Sequence, residues 1–192
     1  MKEKYSVQEV SFDAIKPFIL NIHYAQRMPQ VMFRFGLFLG SDLVGVITYG
    51  KPASPWLCKG VCGIEHKDKV YELNRLVLLN NKYNEASMLI SGSLKLLPFP
   101  AVIVAYADTK YNHIGTVYQA CNFLFTGTTK PRTDMASKDG KHSRHHLGDR
   151  TKRVNRSAKH RYVHFLGSKK ERRKLKECLN YPILDYPKPD MI

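Results

Sequence analysis

The sequence predicts an α/β (α+β) fold in which helices flank a mixed, twisted sheet. Two alternating apolar segments separated by a Gly-Ser-Asp turn indicate an antiparallel hairpin. Further along the chain, a helical segment separates two apolar strands, which implies a crossover connection and parallel pairing. A chain of 192 residues, 43% of them hydrophobic, is long enough to bury the core of one domain. We therefore expect a single domain over residues 1–192.

The N-terminal half is expected to contain a short helix, the hairpin and a long loop. Residues 11–22 indicate a short helix that Pro17 interrupts, or two successive turns. The hairpin strands are residues 32–40 and 43–50, in which apolar and polar side chains alternate. Residues 51–69 contain two Pro and two Gly residues. This composition predicts a loop of about twenty residues, a length that is often functional.

The second half is expected to alternate strands and helices around a basic insertion. Residues 70–79 indicate a strand, and residues 85–97 a helix with Asn84 as its N-cap. Residues 101–108 are apolar on both faces, which predicts a central strand. The other predicted elements are a short helix at 115–122, a strand at 123–129, a basic loop insertion at 130–160, a strand at 161–167, a C-terminal helix from Ser168 and an extended tail.

The charge of the chain indicates a polyanionic partner. The net charge is +15, and residues 130–177 contain 17 Lys or Arg against five Asp or Glu. Nucleic acid is favoured over an anionic membrane because no amphipathic apolar stripe accompanies these charges. We expect residues 130–161 to bind the phosphates of double-stranded DNA. The candidate phosphate contacts are Arg144, Arg150, Lys152, Arg153, Arg156 and Lys159.

The sequence contains no signal for membrane insertion or secretion. No apolar stretch reaches the roughly 20 residues of a membrane helix, and no secretory signal opens the chain. We therefore expect a cytoplasmic protein with no membrane partner and four unpaired cysteines. Two metal sites remain as weaker alternatives, one at Cys58, Cys62 and His66 and one at His142, His145 and His146.

Two polar residues near the central strand are candidates for a functional site. Asp108 ends the strand, where a carboxylate either forms an Asx turn with Thr109 and Lys110 or faces a ligand. Tyr118 follows on the short helix and either packs in the core or supplies a phenol to a site. The residues alone leave both alternatives open.

The predicted order of elements is similar to that of the GNAT acyltransferases. The segment VYQACNFLFTG resembles the part of that family that carries a proton-donating tyrosine, here Tyr118. The resemblance implies that coenzyme A binds at the next helix N-terminus after the fourth strand, with Arg75, Asn84 and Ser87 as candidate contacts. The segment LNNKYNEASM lacks the glycines that the family usually has at this position.

A longer set of segments resembles the phage Mom family of DNA-modification proteins. These segments are HYAQRMP, FGLFLGSDLVGVITYG, YELNRLVLLNNKYNEAS, AYADTKYNHIGTVYQACNFLFTG and RYVHFLGSKK with the later YPILDYPK. Mom proteins are GNAT-related and add a carbamoylmethyl group to N6 of adenine, which protects phage DNA from host restriction. The resemblance therefore implies acetyl-coenzyme A or a related donor, an iron ion, and a phage protein acting in the bacterial cytoplasm.

The same resemblance implies roles for individual residues. Asp108 becomes a base or metal ligand, His23 its metal partner, and Tyr24 and Tyr118 further catalytic candidates. Glu72 is an alternative general base, and His113 either caps a helix or joins the site. Because N6 is paired inside the duplex, the base is expected to flip out. Trp56, Tyr49 and Tyr111 are candidates to stack on it.

Two other functions remain as alternatives. The first is an ordinary N-acetyltransferase acting on RNA or on a basic protein, since an amide is the usual GNAT product. The second is a non-catalytic nucleic-acid-binding protein that has lost cofactor binding, which the absence of glycines in LNNKYNEASM favours.

Overall fold

A mixed sheet of seven strands forms the centre of the structure, a computed structural model that describes residues 4–135 and 153–188. The described strands are β1 (Tyr5–Glu9), β2 (Phe33–Leu39), β3 (Asp42–Gly50), β4 (Val70–Leu78), β5 (Ala101–Asp108), β6 (Leu124–Thr128), β7 (Arg132–Met135), β8 (Arg153–Arg156) and β9 (Lys159–Leu166). The large sheet has the order β1-β2-β3-β4-β5-β9-β6, and β7 pairs with β8 in a separate sheet.

Helices cover both faces of the large sheet. They are α1 (Phe12–Pro17), α2 (Pro55–Cys62), α3 (Glu85–Leu94), α4 (Thr116–Ala120) and α5 (Lys169–Glu177). A π-helical turn (Phe18–Ile22) continues α1, and 3₁₀ turns follow α2 (Ile64–Lys69) and β5 (Thr109–Tyr111). α3 and α4 pack on one face, whereas α1, α2 and α5 pack on the other.

The central strand β5 is buried on both faces, as its sequence predicts. Ile103 and Ala105 point toward the core beneath α3 and α4. Val102 and Val104 point to the opposite core, where they join Leu175 of α5. Because all of these side chains are almost fully excluded from solvent, β5 and its neighbours hold the cleft described below in place.

Strands β4 and β5 separate toward their carboxyl ends. They pair in parallel from Val70 opposite Val102 to Leu73 opposite Ala105, and no pairing continues beyond those residues. β4 nevertheless runs on to Leu78 and β5 to Asp108. The separation opens a cleft at the sheet edge where ligands commonly bind in α/β proteins.

The predicted loop at residues 51–69 is wrong. Most of the segment forms α2 and a 3₁₀ turn, because Pro55 and Gly63 mark the ends of a helix, while Gly60 lies within it. Pro55 occupies the first helical position, where its missing N–H costs nothing. Gly63 follows the last turn with φ of 87°, and Val61 and Cys62 bury the inner face of the helix.

Other differences concern short or exposed elements. β1 was not predicted, and the helix expected over residues 85–97 ends at Leu94. Within the predicted basic loop, β7 and β8 pair with each other although most of their described side chains are exposed. Such strands lack the apolar alternation on which sequence prediction relies. Arg144, Arg150, Lys152 and the candidate zinc ligands His142, His145 and His146 lie outside the described residues.

The predicted hairpin and C-terminal helix are confirmed. β2 and β3 pair antiparallel on either side of the Gly40-Ser41 turn. Ser168 caps α5 by accepting a hydrogen bond from the Glu171 amide, and Glu171 returns the contact as a capping box. All four cysteines are free thiols. No helix in the described part of the chain has the length and apolarity needed to cross a bilayer.

Candidate active site

The cleft between β4 and β5 has a volume of about 670 Å³. Its walls come from the carboxyl-terminal halves of these two strands, from the start of α3, from the loop after the π-helical turn and from the segment that leads into α4. His23, Tyr24, Arg75, His113 and Tyr118 line it. The fold therefore brings together residues from three separate parts of the sequence, and four of them (His23, Tyr24, Arg75 and Tyr118) are predicted catalytic or cofactor-binding residues.

Tyr118 presents an unengaged hydroxyl group to the cleft. Its ring is buried and contacts Phe123 and Tyr162, with centroid distances of 5.6 and 5.4 Å. The hydroxyl has no hydrogen-bond partner within residues 4–135 and 153–188. Burial, followed by the proximity of Tyr24 and Glu72, raises the pKa of Tyr118. The phenol therefore keeps its proton at neutral pH and can donate it to a group in the cleft.

The close approach of the Gly115 backbone to the Tyr162 ring fixes the position of α4, the helix that carries Tyr118. Gly115 precedes α4 with φ of 80°, a conformation that glycine adopts without strain. Its Cα lies against the ring of Tyr162, whose hydroxyl donates to the carbonyl of Ile114. Gln119 in turn donates to that hydroxyl at 3.1 Å. These contacts tie α4 to β9.

Asp108 is engaged by protein groups rather than open to the cleft. Its Oδ1 accepts hydrogen bonds from the Lys110 amide (3.0 Å) and the Ser157 hydroxyl, and its Oδ2 lies 3.3 Å from Lys159 Nζ. The Asx turn considered from the sequence is therefore formed. Burial alone would raise the pKa of Asp108, but the hydrogen bonds from Ser157 and Lys110 and the charge of Lys159 outweigh burial and lower it.

The pKa of Glu72 shifts in the opposite direction from that of Asp108. Burial raises the pKa of Glu72, and the charges of Lys159 and Arg75 offset only part of that effect. Lys159 therefore acts on both carboxylates, but it directly contacts Asp108. Two carboxyl groups whose environments push their pKa values apart are suited to different roles, and Glu72 is the more basic of the pair.

His23 is buried and packs against Tyr24, with 4.3 Å between ring centroids. Its Nδ1 accepts a hydrogen bond from the Ala25 amide at 3.0 Å, so the neutral ring carries its proton on Nε2. Desolvation, with smaller contributions from Arg75, Lys159 and His113, lowers the pKa of His23 to about 4. The imidazole is therefore neutral at pH 7 and offers a donor rather than a lone pair.

The described residues do not form the iron site that the family resemblance implies. The lone pair of His23 Nδ1 is used by a backbone amide, and both oxygens of Asp108 are used by Ser157, Lys110 and Lys159. No group of three or more His, Cys, Asp or Glu side chains comes together within residues 4–135 and 153–188.

The neutral state of His23 predicts a specific pH dependence of stability. Because its pKa is lower in the folded than in the unfolded chain, the unfolded state binds more protons between pH 6.5 and pH 4. On acidification from pH 7 to pH 4, the wild type should lose up to about 3 kcal/mol more unfolding free energy than His23→Gln. Urea unfolding of both proteins across this range measures the difference. Parallel pH profiles for the two proteins would contradict the buried, neutral assignment.

Arg75 lies on β4 at the cleft and donates to two backbone carbonyls. Its Nη1 reaches Asn74 at 2.6 Å and its Nη2 reaches Arg27 at 2.9 Å. Its Nε is buried and has no hydrogen-bond partner among the described residues. Desolvation, followed by the charge of Arg27, lowers the pKa of Arg75. A guanidinium with a remaining donor beside a cleft is suited to an anionic ligand.

The loop before α3 contains no glycine but takes a left-handed backbone at two asparagines. Asn81 and Asn84 adopt φ of 46° and 65°, and asparagine is among the few residues that tolerate this region. Asn81 and Ala86 line the cleft, and the first amides of a helix have no acceptor within it. These groups fit a phosphate at the N-terminus of α3.

The prediction of Asn84 as the N-cap of α3 is confirmed, although its side chain does not bond to the helix amides. Asn84 occupies the N-cap position but makes no side-chain capping hydrogen bond, because its left-handed backbone does not direct the side chain to the helix amides. The Glu85 carboxylate instead accepts from the Lys82 amide and the Tyr5 hydroxyl, both at 2.8 Å. Ser87 donates to the carbonyl of Asn84 at 3.0 Å. Of the loop residues, Asn81 lines the cleft, whereas Asn84 and Ser87 lie outside its lining.

The sequence comparisons identify one family. Residues 4–188 match the sequence model of the Mom protein family. The chain is also similar to the methylcarbamoylase mom of Escherichia phage Mu, with 30% identity over 203 aligned positions that cover 95% of this chain and 83% of the phage Mu protein. The matched range includes every described residue that lines the cleft.

Solved acetyltransferases share the fold. An N-acetyltransferase from Staphylococcus aureus Mu50 aligns with a TM-score of 0.53 at 14% identity, covering 85% of this chain and 99% of that one. Arabidopsis thaliana NAA60 in complex with acetyl-CoA aligns with a TM-score of 0.54 at 11% identity, covering 85% and 100%. The predicted GNAT-like fold is therefore confirmed.

Proposed function

Because this chain belongs to the Mom protein family, we propose that it is a transferase that adds a carbamoylmethyl group to N6 of adenine in phage DNA. The modification would protect the DNA from host restriction in the bacterial cytoplasm. The observation that carries the proposal is the family match over residues 4–188, which includes the cleft lined by His23, Tyr24 and Tyr118. The net charge of +15 supports a polyanionic substrate.

Tyr118, which lines the cleft, acts as the acid, and Glu72, which lies on β4 outside the cleft lining, acts as the base. Tyr118 holds a proton at its hydroxyl and delivers it to the leaving group. Glu72, whose pKa is raised by burial, accepts a proton from the attacking amine, while Asp108 remains ionised and holds Lys159 and the turn after β5. The donor must carry the carbamoylmethyl group on a leaving group, so that the bond from N6 to the methylene carbon forms as the bond to the leaving group breaks. Where that donor is a coenzyme A derivative, α3 and Arg75 would hold its phosphates.

The structure of the product distinguishes this proposal from ordinary acetyl transfer. Carbamoylmethylation joins N6 to a methylene carbon, whereas attack on a thioester carbonyl gives an amide. The two modified nucleosides differ in composition by one NH unit, so their masses differ. Nucleoside mass spectrometry therefore reports the reaction class directly.

The proposed function is tested by mass spectrometry of nucleosides from bacteria that express the protein. Wild-type protein should add a carbamoylmethyl mass to deoxyadenosine. Asp108→Asn, which keeps the size of the side chain but removes its charge, should lower the modified fraction at least about tenfold, because it weakens the contact with Lys159. An acetyl mass would support an N-acetyltransferase instead. Unmodified DNA from well-folded protein would overturn the proposal.

The described basic residues predict how DNA binding depends on salt. Arg153 and Arg156 lie on β8 with exposed side chains. Changing both to Gln should weaken duplex binding and reduce the slope of log K against log salt by about 2, since each phosphate contact contributes about 0.9. Fluorescence anisotropy with a labelled duplex at several salt concentrations measures this slope.

A matched control removes the same charge from another surface. Lys169 and Lys170 are exposed at the start of α5, at the opposite end of β9 from Lys159. Changing both to Gln lowers the net charge by the same two units but should leave the slope nearly unchanged. Equal salt slopes for the two double variants would contradict the assignment of the DNA-binding surface to β8.

A further inference from the structure

Four aromatic side chains from two distant loops meet at the rim of the cleft. Tyr24 lies 4.3 Å from His23, 4.5 Å from Tyr111 and 6.4 Å from His113, measured between ring centroids. Tyr111 and His113 are themselves 5.9 Å apart. His23 and Tyr24 follow the π-helical turn, whereas Tyr111 and His113 follow β5. The fold therefore brings together a cluster that no local sequence pattern predicts.

The two tyrosines of this cluster are exposed. Tyr24 is 50% and Tyr111 42% accessible, and neither belongs to a buried core cluster. His23, Tyr24 and His113 also line the cleft. The Tyr24 and Tyr111 rings are inclined by 46°, so the exposed face of either ring, rather than one continuous flat surface, can receive another planar ring.

Positive charge surrounds the cluster. Lys110 lies over the Tyr111 ring, with 5.8 Å between Nζ and the centroid. Thr109, two residues before Tyr111, donates to the Ala158 carbonyl through its amide (3.2 Å) and its hydroxyl (2.8 Å). The segment that leads out of β8 with Arg153 and Arg156 is thus bonded directly to the turn that carries Tyr111. A polyanion bound at β8 would therefore be held close to the turn that carries Tyr111.

We propose that Tyr24 and Tyr111 form a stacking platform for a nucleobase extruded from duplex nucleic acid. This inference rests on the proposed function, because N6 of a paired adenine is engaged in the duplex and must leave it before it enters the cleft. Stacking on the two rings offsets the cost of unstacking in the duplex. Packing of the rings on each other alone would hold the two loops together without contacting a base.

The platform is tested by base extrusion in the absence of any donor. The probe is a duplex with the fluorescent base pyrrolocytosine opposite a mismatched adenine, the kind of base that leaves the duplex most readily. Wild-type protein should raise the fluorescence of the probe as the adenine leaves the duplex, because the pyrrolocytosine loses its partner and does not itself stack on the tyrosines. Tyr111→Ala should remove most of this rise and weaken binding of the mismatched duplex about 5- to 100-fold. Tyr111→Phe, which keeps the ring, should restore both.

Two comparisons separate the platform from a structural role and from the proposed function. Trp56→Ala removes a ring that is 79% exposed on α2 and should leave the probe signal unchanged. A fall in Tm for Tyr111→Ala with an unchanged probe signal would overturn the platform, as would loss of the signal in Trp56→Ala alone. If the protein modifies deoxyadenosine but does not extrude the base, the proposed function is supported and the stacking platform is contradicted. If base extrusion depends on Tyr111 but no deoxyadenosine is modified, the platform is supported and the proposed function is contradicted.

Discussion

Replacing Tyr118 with phenylalanine should lower the rate of DNA modification by about 10²- to 10³-fold, the usual contribution of a positioned proton donor. The same change should leave Tm within about 2 °C of the wild-type value. The reason is that the hydroxyl makes no hydrogen bond to the described protein residues, so its removal breaks none. Single-turnover modification of duplex DNA and thermal unfolding measure the two quantities.

Tyr83→Phe is the matched control for this variant. Tyr83 is 90% exposed, and the substitution removes the same atom from a position outside the cleft. DNA affinity should be equal in both variants, because neither hydroxyl carries charge. A Tyr118→Phe enzyme with the wild-type rate would show that the phenol packs in the core without donating a proton.

Gly115→Ala should be the most destabilising single substitution near the site. A Cβ at this position would lie 2.4 Å from the Tyr162 ring, and the backbone φ of 80° disfavours any side chain. Overpacking and left-handed strain together should cost about 3 kcal/mol of unfolding free energy and lower Tm by about 10 °C. Because α4 begins at this residue, the substitution should also displace Tyr118 and reduce modification. Urea unfolding and the modification assay measure both effects.

Gly40→Ala separates backbone strain from the close contact. Gly40 also has a positive φ, of 59°, but nothing lies within 4 Å of an added Cβ. Its substitution should cost about 1–2 kcal/mol, the strain alone. If both variants lose the same stability, the contact between Gly115 and Tyr162 contributes nothing to the position of α4.

The sequence could predict the elements whose pattern reflects burial. β5 has apolar side chains on both faces, and the parallel crossover from β4 to β5 follows from the helix between them. The sequence could not distinguish a Pro- and Gly-rich loop from α2, because the same residues also mark helix ends. It also could not detect β7 and β8, whose residues are mostly polar and exposed.

The candidate site was only partly accessible from the sequence, because its electrostatics come from contacts between distant residues. Asp108 and Glu72 are both carboxylates of strand residues, and only the fold shows that Lys159 and Ser157 hold Asp108 while desolvation raises the pKa of Glu72. Ser157 and Tyr162 were not considered as site residues. No short motif indicates these two residues, because each forms its hydrogen bond with a residue more than 45 positions away in the chain.

The pairing of β6 with β9 has a consequence for how the protein can diverge. Thr129 and Lys159 exchange hydrogen bonds, with the Thr129 amide donating to the Lys159 carbonyl and the Lys159 amide donating to the Thr129 hydroxyl. The two ends of the chain between Thr129 and Lys159 are thus held together by hydrogen bonds at the sheet. The entropic cost of closing a loop between two such ends grows only slowly with the length of the loop. Changes of length or charge there should leave β5 in place as long as Ser157 still donates to Asp108 and Ala158 still accepts from Thr109. The scaffold of the cleft and the proposed DNA surface can therefore diverge separately, with these two contacts as the constraint.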